Sequence, residues 1–381
     1  MRNLLQHIKG DRVIWVMLVF LTIYSGLAVA SSVVSLSLGD GNVTIHIVRH
    51  VAFLLVGWGI IILVHHIPYR WYSILANFLL FVAVILLILT LVKGRSGYTA
   101  ARWLVIPGTS LTFQTSDFAK IALIIFVARY LSRNQMEIED FKKGFLPVLL
   151  AIIIVCGLIL WENLSTGALL FATCVIMLFI GRVKVKYLLG LAGAGVVLIA
   201  VLFLIGKYSN VESRSDTWAN RIVRHIDKDQ DPAKQFQSDK AKIAIANGGF
   251  FGKFAGHSTQ RRSLPQAYSD FIFAIIIEEY GFVFGALPIA LFFMILLRRA
   301  GVIVRKCDRT FPAFLTIGLM TGLVIQAMIN MGVSAGIFPV TGQPLPWISR
   351  GGTSILFTAL SIGIILGVSR SFEEEAQVEK G

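Results

Sequence analysis

Three carboxylates in one short stretch are the residues of this chain best placed for chemistry. Asp270 stands where a polar, basic segment (207–270) re-enters apolar sequence through Leu264-Pro265-Gln266-Ala267-Tyr268-Ser269-Asp270-Phe271-Ile272-Phe273, and Glu278 and Glu279 lie in the apolar run that follows. An ionisable group in such a run costs free energy unless it is paired or used. Asp270 is placed to act as a general base at the membrane edge, beside basic, Gly-containing sequence. It is equally placed to be a helix N-cap, and a tightly capping carboxylate is a weaker base. Glu278 follows it by about two helical turns, so the spacing predicts that Glu278 shares its face about 12 to 13 Å further along, with Glu279 facing away. For the two glutamates, an interhelical ion pair or a protonated acid stands against a polar cavity beneath the site.

Cations surround these acids in the sequence. Lys253 follows Gly252, but the spacing from Gly248 is one residue too short for a phosphate loop, and Phe254 replaces the needed hydroxyl residue. Nucleotide binding is therefore excluded there, and a basic strip with Arg261 and Arg262, facing an anionic lipid head, remains. Asp117 and Lys120 sit one turn apart at the start of an apolar run, as an i,i+3 pair would. Arg102 precedes Trp103: the indole suits an interfacial anchor, and the guanidinium a phosphate. Arg49 has the reach to snorkel to headgroups. Between Phe338 and Ser354, three Pro and three Gly predict a broken, re-entrant-like loop, with Ser349, Arg350 and backbone N–H groups available to oxygens. A rigid outer hairpin is the plainer alternative.

The elements that must position these residues are apolar. The chain of 381 residues is 56% hydrophobic and 15% charged. Ten apolar runs, about 13–35, 46–66, 71–92, 116–133, 144–161, 165–182, 186–206, 270–297, 311–338 and 353–370, have the length of a bilayer-crossing helix. The expected fold is all-α: one polytopic membrane domain (1–381) with ten transmembrane helices and one large extracytoplasmic loop, 207–270. With a cytoplasmic N-terminus, the inner segments hold eighteen Lys and Arg and the short outer loops only four, Lys93, Arg95, Arg102 and Arg350. That asymmetry puts both termini inside, and the loop's own 11 basic residues do not oppose it, since long loops translocate largely regardless of charge. Within the loop, Asp216 is read as the cap of a helix striped by Trp218, Ile222 and Ile226. Asp231-Pro232 is read as the start of a second helix that ends at Asn247-Gly248-Gly249. Ala28-Val29-Ala30 resembles a cleavage site, but the apolar run continues past it, as an uncleaved first span would. The net charge of +14 reflects the inner bias and attraction to anionic lipid; no motif supports nucleic acid binding. None of the three cysteines, Cys156, Cys174 and Cys307, falls on the outer side, so neither a disulfide nor a metal cluster is expected.

With these residues the chain resembles the SEDS family (shape, elongation, division and sporulation proteins) over nearly its whole length. The strongest parts are Leu264-Pro265 through Asp270-Phe271-Ile272-Phe273 with Glu278-Glu279-Tyr280-Gly281, and Pro339 to Ser354; Arg102-Trp103 and Gln114 through Lys120 add to them. The resemblance implies an inverting peptidoglycan glycosyltransferase that polymerises lipid II, an undecaprenyl-diphosphate-linked disaccharide peptide, at the outer face of the bacterial inner membrane. It implies a class B penicillin-binding protein as the crosslinking partner. Asp270 matches the family's essential acid, and Arg102 and Trp103 carry over as substrate-side residues. Lys120, Lys253, Arg261, Arg262, Glu278 and Ser349 complete the candidate substrate-binding set, with Lys253, Arg102, Arg261 and Arg262 the cations considered for the diphosphate. No cofactor is assigned and a divalent cation is left open, although no multi-carboxylate cluster is visible. Departures are plain. The usual Leu-Pro-Glu-x-His-Thr-Asp has Gln266, Tyr268 and Ser269 at its Glu, His and Thr. Gln-Pro-Ser-Glu is Gln114-Thr115-Ser116-Asp117, a Gln-Pro-Asp-like element is Trp161-Glu162-Asn163, and Arg350 stands where Tyr is common. The division branch fits slightly better than the elongation branch. A lipid II flippase working at Glu278 and Glu279, or a non-catalytic divisome scaffold, are the competing readings.

Overall fold

The computed structural model describes residues 9–33, 43–93, 103–105, 112–208, 232–264 and 267–378. In chain order the elements are α1 (Arg12–Ser32), α2 (Val43–His65), α3 (Tyr69–Lys93), β1 (Trp103–Val105), β2 (Thr112–Gln114), α4 (Thr115–Arg133), α5 (Leu146–Glu162), α6 (Leu164–Ile180), α7 (Val185–Tyr208), α8 (Pro232–Gly248), α9 (Ile272–Gly281), α10 (Leu287–Arg305), α11 (Thr310–Ser334) and α12 (Gly352–Val378). Single π-helical turns, Phe141–Phe145 and Phe282–Ala286, lead into α5 and α10. The described strands form one short antiparallel hairpin with Trp103 opposite Gln114, a small addition to an otherwise helical chain. The expected helix around Asp216 lies outside the described residues. The second expected loop helix is α8.

Each apolar run read from the sequence coincides with a helix, the run 270–297 being shared by α9 and α10. Seven segments are long and apolar enough to cross a membrane. Of the remaining elements, α6 has 17 residues, and α4 carries Asp117, Lys120 and Arg129 within its first fifteen. Leu55, Leu63, Phe78 and Phe81 on α2 and α3 are exposed, as lipid-facing side chains are. The protein is a multi-pass helical membrane protein.

Small residues set the close approaches. A Cβ on Gly363 of α12 would stand 2.9 Å from Val64 of α2, and one on Gly318 of α11 would stand 2.6 Å from the Met177 sulfur of α6. At the start of α1, Asp11 Oδ1 accepts from Val13 N at 3.0 Å and Ile14 N at 3.2 Å, and the same carboxylate receives the Arg299 guanidinium of α10. Further along, Tyr24 Oη donates to the Phe284 carbonyl at 2.6 Å. So α10 runs antiparallel to α1.

The run expected to be one straight span is broken at Gly281. Its φ of 72° is a conformation that side chains disfavour, and a Cβ there would overlap the Phe250 carbonyl. α8 packs on α9, and the chain after it folds back along the same helix: Phe282 N donates to Gly249 O at 2.9 Å, Val283 N to Phe250 O at 3.0 Å, and Lys253 N to Glu278 O at 3.0 Å. α9 is thus a ten-residue piece ending in a sharp turn. Glu279 reaches Ser31 at the C-terminal end of α1. Ser25, six residues earlier on α1 or about 9 Å along its axis, donates to the Ile348 carbonyl. The two glutamates therefore lie beyond the 345–350 segment along α1, not deeper in the bundle beneath it.

Gly281→Ala is expected to lower stability by about 2 kcal/mol or more, because it adds both backbone strain and overlap. Gly301→Ala, with nothing near its Cβ position, should be neutral. Melting of both variants in detergent checks this, and an unshifted Gly281→Ala curve would refute the constraint.

Candidate active site

Asp270 is not the N-cap of α9. Phe271 holds that position and caps with no side chain, and Asp270 lies just before it. Its Oδ1 accepts from Ser269 Oγ at 3.0 Å, and Oδ2 passes 3.5 Å from where a Gly342 Cβ would stand. The residue is 8% exposed. What fixes it is its backbone. The carbonyls of Tyr268, Ser269 and Asp270 accept in turn from Arg350 N at 2.9 Å, Ser349 Oγ at 2.7 Å and Asn330 Nδ2 at 2.9 Å. Asn330 Nδ2 also reaches Gln343 O at 2.7 Å, and Ser349 Oγ accepts from Leu345 N at 2.7 Å. The broken loop between α11 and α12 is packed against protein and serves as a clasp on the Asp270 segment. The Arg350 guanidinium completes it, 5.2 Å over the Tyr268 ring.

One turn before Asn330 on α11, Gln326 accepts from Lys120 Nζ at 3.3 Å and donates to Pro344 O at 2.9 Å. Lys120 is paired with Asp117 at 2.8 Å, both largely buried. Gln343 Nε2 donates to Thr166 Oγ1 at 2.7 Å, and Asn163 caps α6 through Thr166 N. These amides join the Asp270 clasp to the head of a cavity between α4, α6, α11 and α12, where Asp117, Lys120 and Gln326 meet walls such as Ile124, Leu169 and Phe357. So Lys120 belongs to the same frame as Asp270. Gln326 and Asn330 were not singled out from the sequence, although two amides four residues apart in an apolar helix are a legible signal.

Other expected residues are placed elsewhere. Glu278 is 0% exposed and accepts from Thr259 N at 3.1 Å, Thr259 Oγ1 at 2.7 Å, Gln260 N at 3.2 Å, Lys253 Nζ at 3.4 Å and, very closely, Ser258 Oγ. Glu279 takes Ser31 Oγ and Ser258 N, and Arg261 Nη1 reaches Ser31 Oγ at 3.4 Å. Lys253, Arg261 and both glutamates thus tie the 253–261 segment to α9 and α1, apart from Asp270. The expected shared face of Asp270 and Glu278 does not arise, because α9 begins only at Ile272. The Ser349 hydroxyl is engaged on both sides and positions the backbone instead of offering itself to a ligand. Arg102 lies outside the described residues, as do the side chains of Trp103 and Arg262. Among the described residues, no three His, Cys, Asp or Glu side chains converge as a metal site would.

A helical bundle of long apolar segments, with one clasped carboxylate at a broken helix start, defines a multi-pass membrane protein. Residues 11–374 match the model of the FtsW/RodA/SpoVE family, described as cell cycle protein, and the chain belongs to this family. A protein of Trichlorobacter lovleyi named probable peptidoglycan glycosyltransferase FtsW is 34% identical over 367 residues, 94% of this chain and 93% of that one. Stage V sporulation protein E of Bacillus subtilis is 32% identical over 83% of this chain and 85% of its own. Among solved structures, a chain of a peptidoglycan synthase complex, described for its coordination of polymerization and crosslinking, superposes with a TM-score of 0.74 at 25% identity, covering 95% of this chain and 98% of that one. The rod shape determining protein RodA of Thermus thermophilus shares the fold, with a TM-score of 0.64 at 24% identity over 93% of this chain and 96% of its own.

Replacing Asn330 by Leu leaves the Asp270 and Gln343 carbonyls without their buried donor. The expected loss is about 2 kcal/mol or more, with faster amide exchange at 267–271. Wild-type exchange there would show that the clasp does not hold the segment.

Proposed function

We propose that this protein is a peptidoglycan glycosyltransferase that polymerises lipid II into glycan strands at the outer face of the cytoplasmic membrane. The carrying observation is the clasp that holds Asp270 at the start of a broken helix, and the names of the relatives support the same activity. The donor sugar is α-linked to a lipid diphosphate and the product is β-linked, so one in-line displacement with inversion suffices. Asp270 takes the proton of the acceptor hydroxyl as its oxygen bonds to the donor's anomeric carbon. The bond from that carbon to the diphosphate oxygen breaks, and the electron pair leaves with the diphosphate. Fixed donors on three successive backbone carbonyls keep the base in place without a loop having to order first.

Ten spans, cytoplasmic termini and an outer 207–270 loop are supported by the distribution of Lys and Arg. Arg102, Trp103 and Arg262 stay as substrate-side residues, and Lys120 as a charge in the frame of the site. A class B penicillin-binding protein is the proposed partner, supported by the likeness to a chain of a peptidoglycan synthase complex. Septal synthesis is favoured over lateral synthesis by relatives named FtsW. The flippase reading needed glutamates working at the bilayer midplane; Glu278 and Glu279 are instead consumed by the 253–261 segment.

Purified Asp270→Asn protein given lipid II is expected to make glycan at least about 100-fold more slowly, the loss of one general base, with unchanged melting. Wild-type polymer from that variant would overturn the assignment.

A further inference from the structure

Most described cations on the outer half of the bundle are already claimed. Lys120, Lys242 and Lys253 pair with Asp117, Asp239 and Glu278, and Arg261 stands beside Glu279. Arg49 and Arg350 differ. Neither makes an ion pair with any described carboxylate, yet Arg350 feels the charge of Arg49. Burial pushes the Arg350 guanidinium below the usual arginine range; the Tyr268 ring opposes this and Arg49 adds to it. Arg350 is half-buried and Arg49 exposed, and two like charges near enough to interact are unfavourable until an anion joins them.

The surroundings are built to hold them. Arg350 Nη2 donates to His46 Nδ1 at 2.9 Å. A guanidinium has no acceptor, so Nδ1 carries the lone pair and the imidazole hydrogen sits on Nε2, available as a donor. His46 and Arg49 are three residues apart on α2 and share a face. Tyr268 supports Arg350 from one side, leaving the rest of its planar fork for a ligand. Ser25 Oγ donates to Ile348 O at 2.9 Å and meets His50 Nε2 at 2.9 Å, which locks α1, α2 and the 345–350 segment together beneath the cluster.

We propose that Arg350, Arg49 and the Nε2–H of His46 form a diphosphate-binding site at the outer end of α2, and that its ligand is the diphosphate of the lipid-linked donor. The assignment of that ligand rests on the glycosyltransferase reading above. Arg350 N is bonded to Tyr268 O, two residues before Asp270, so the cluster and the carboxylate are joined through one clasped segment. Of the four cations considered from the sequence, Lys253 is engaged by Glu278 and Arg261 by Ser31 beside Glu279.

The test uses the full chain in phosphatidylcholine nanodiscs, with farnesyl diphosphate and farnesol as probes and native mass spectrometry as readout. Wild type should retain the diphosphate and not the alcohol. Arg350→Gln and Arg49→Gln should each weaken retention about tenfold or more, the worth of one charge-assisted contact, with unchanged melting. If Arg350→Gln fails to fold, the exposed Arg49→Gln decides alone. Wild-type retention by folded Arg49→Gln overturns the site. A repeat with excess phosphatidylglycerol should leave retention intact; loss there would assign the cluster to a phospholipid headgroup and overturn the donor assignment. Asp270→Asn should bind the diphosphate as wild type does while making no glycan. Polymer from that variant would sink the glycosyltransferase reading and leave the anion site standing.

Discussion

Three consecutive peptide carbonyls, those of Tyr268, Ser269 and Asp270, are each held by a donor from the 330–350 region. Everything at the site depends on this constraint. A buried carbonyl without a donor is costly, so the segment has one conformation and not several. The donors differ in kind: a backbone amide, a hydroxyl and a side-chain amide. Each is itself fixed, Ser349 by Leu345 N and Asn330 by its second bond to Gln343 O. The carboxylate on such a segment is oriented in advance, which is the arrangement that the proposed base needs to limit reorganisation during reaction.

The acidic residues of this region divide by role. Glu278 and Glu279 are surrounded by hydroxyls, amides and cations of the 253–261 segment, so their charge folds that segment onto α9 and the end of α1. Asp117 is committed to Lys120, and through Gln326 that pair braces the same loop that clasps Asp270. These three acids serve the packing around the site, whereas Asp270 lies on the clasped segment itself. The cations follow the same division, since those near the structural acids are neutralised and those on α2 and at 350 are not.

Much of this was legible in the sequence. Apolar run lengths located the helices, and the polar re-entry near 264–273 located Asp270. The Pro- and Gly-rich 338–354 segment announced a packed irregular loop. What local patterns could not give were contacts made across hundreds of residues. The break at Gly281 reads as one more glycine in an apolar run, because its cause is the Phe250 carbonyl brought against it by α8. The assignment of Glu278 to a shared face assumed that a helix already ran through 270, and failed for that reason. Ser349 looked like a ligand donor because its two backbone partners lie far away or beyond a turn. The departures at Tyr268 and Arg350 read as separate losses from the family pattern, yet the structure stacks the two side chains on each other. The ring of one departure carries the cation of the other, so the two changes make sense together.

The contacts between α1 and α10 have a mechanical consequence. The Asp11–Arg299 pair and the bond from Tyr24 to Phe284 O fasten these helices at two heights, thirteen residues or about 20 Å apart. Two rivets at different heights forbid one rod from slipping past the other. α10 is therefore a fixed mast, and the short α9 is a boom stepped onto it at Gly281, able to swing only as far as its rigging to α1 and α8 allows.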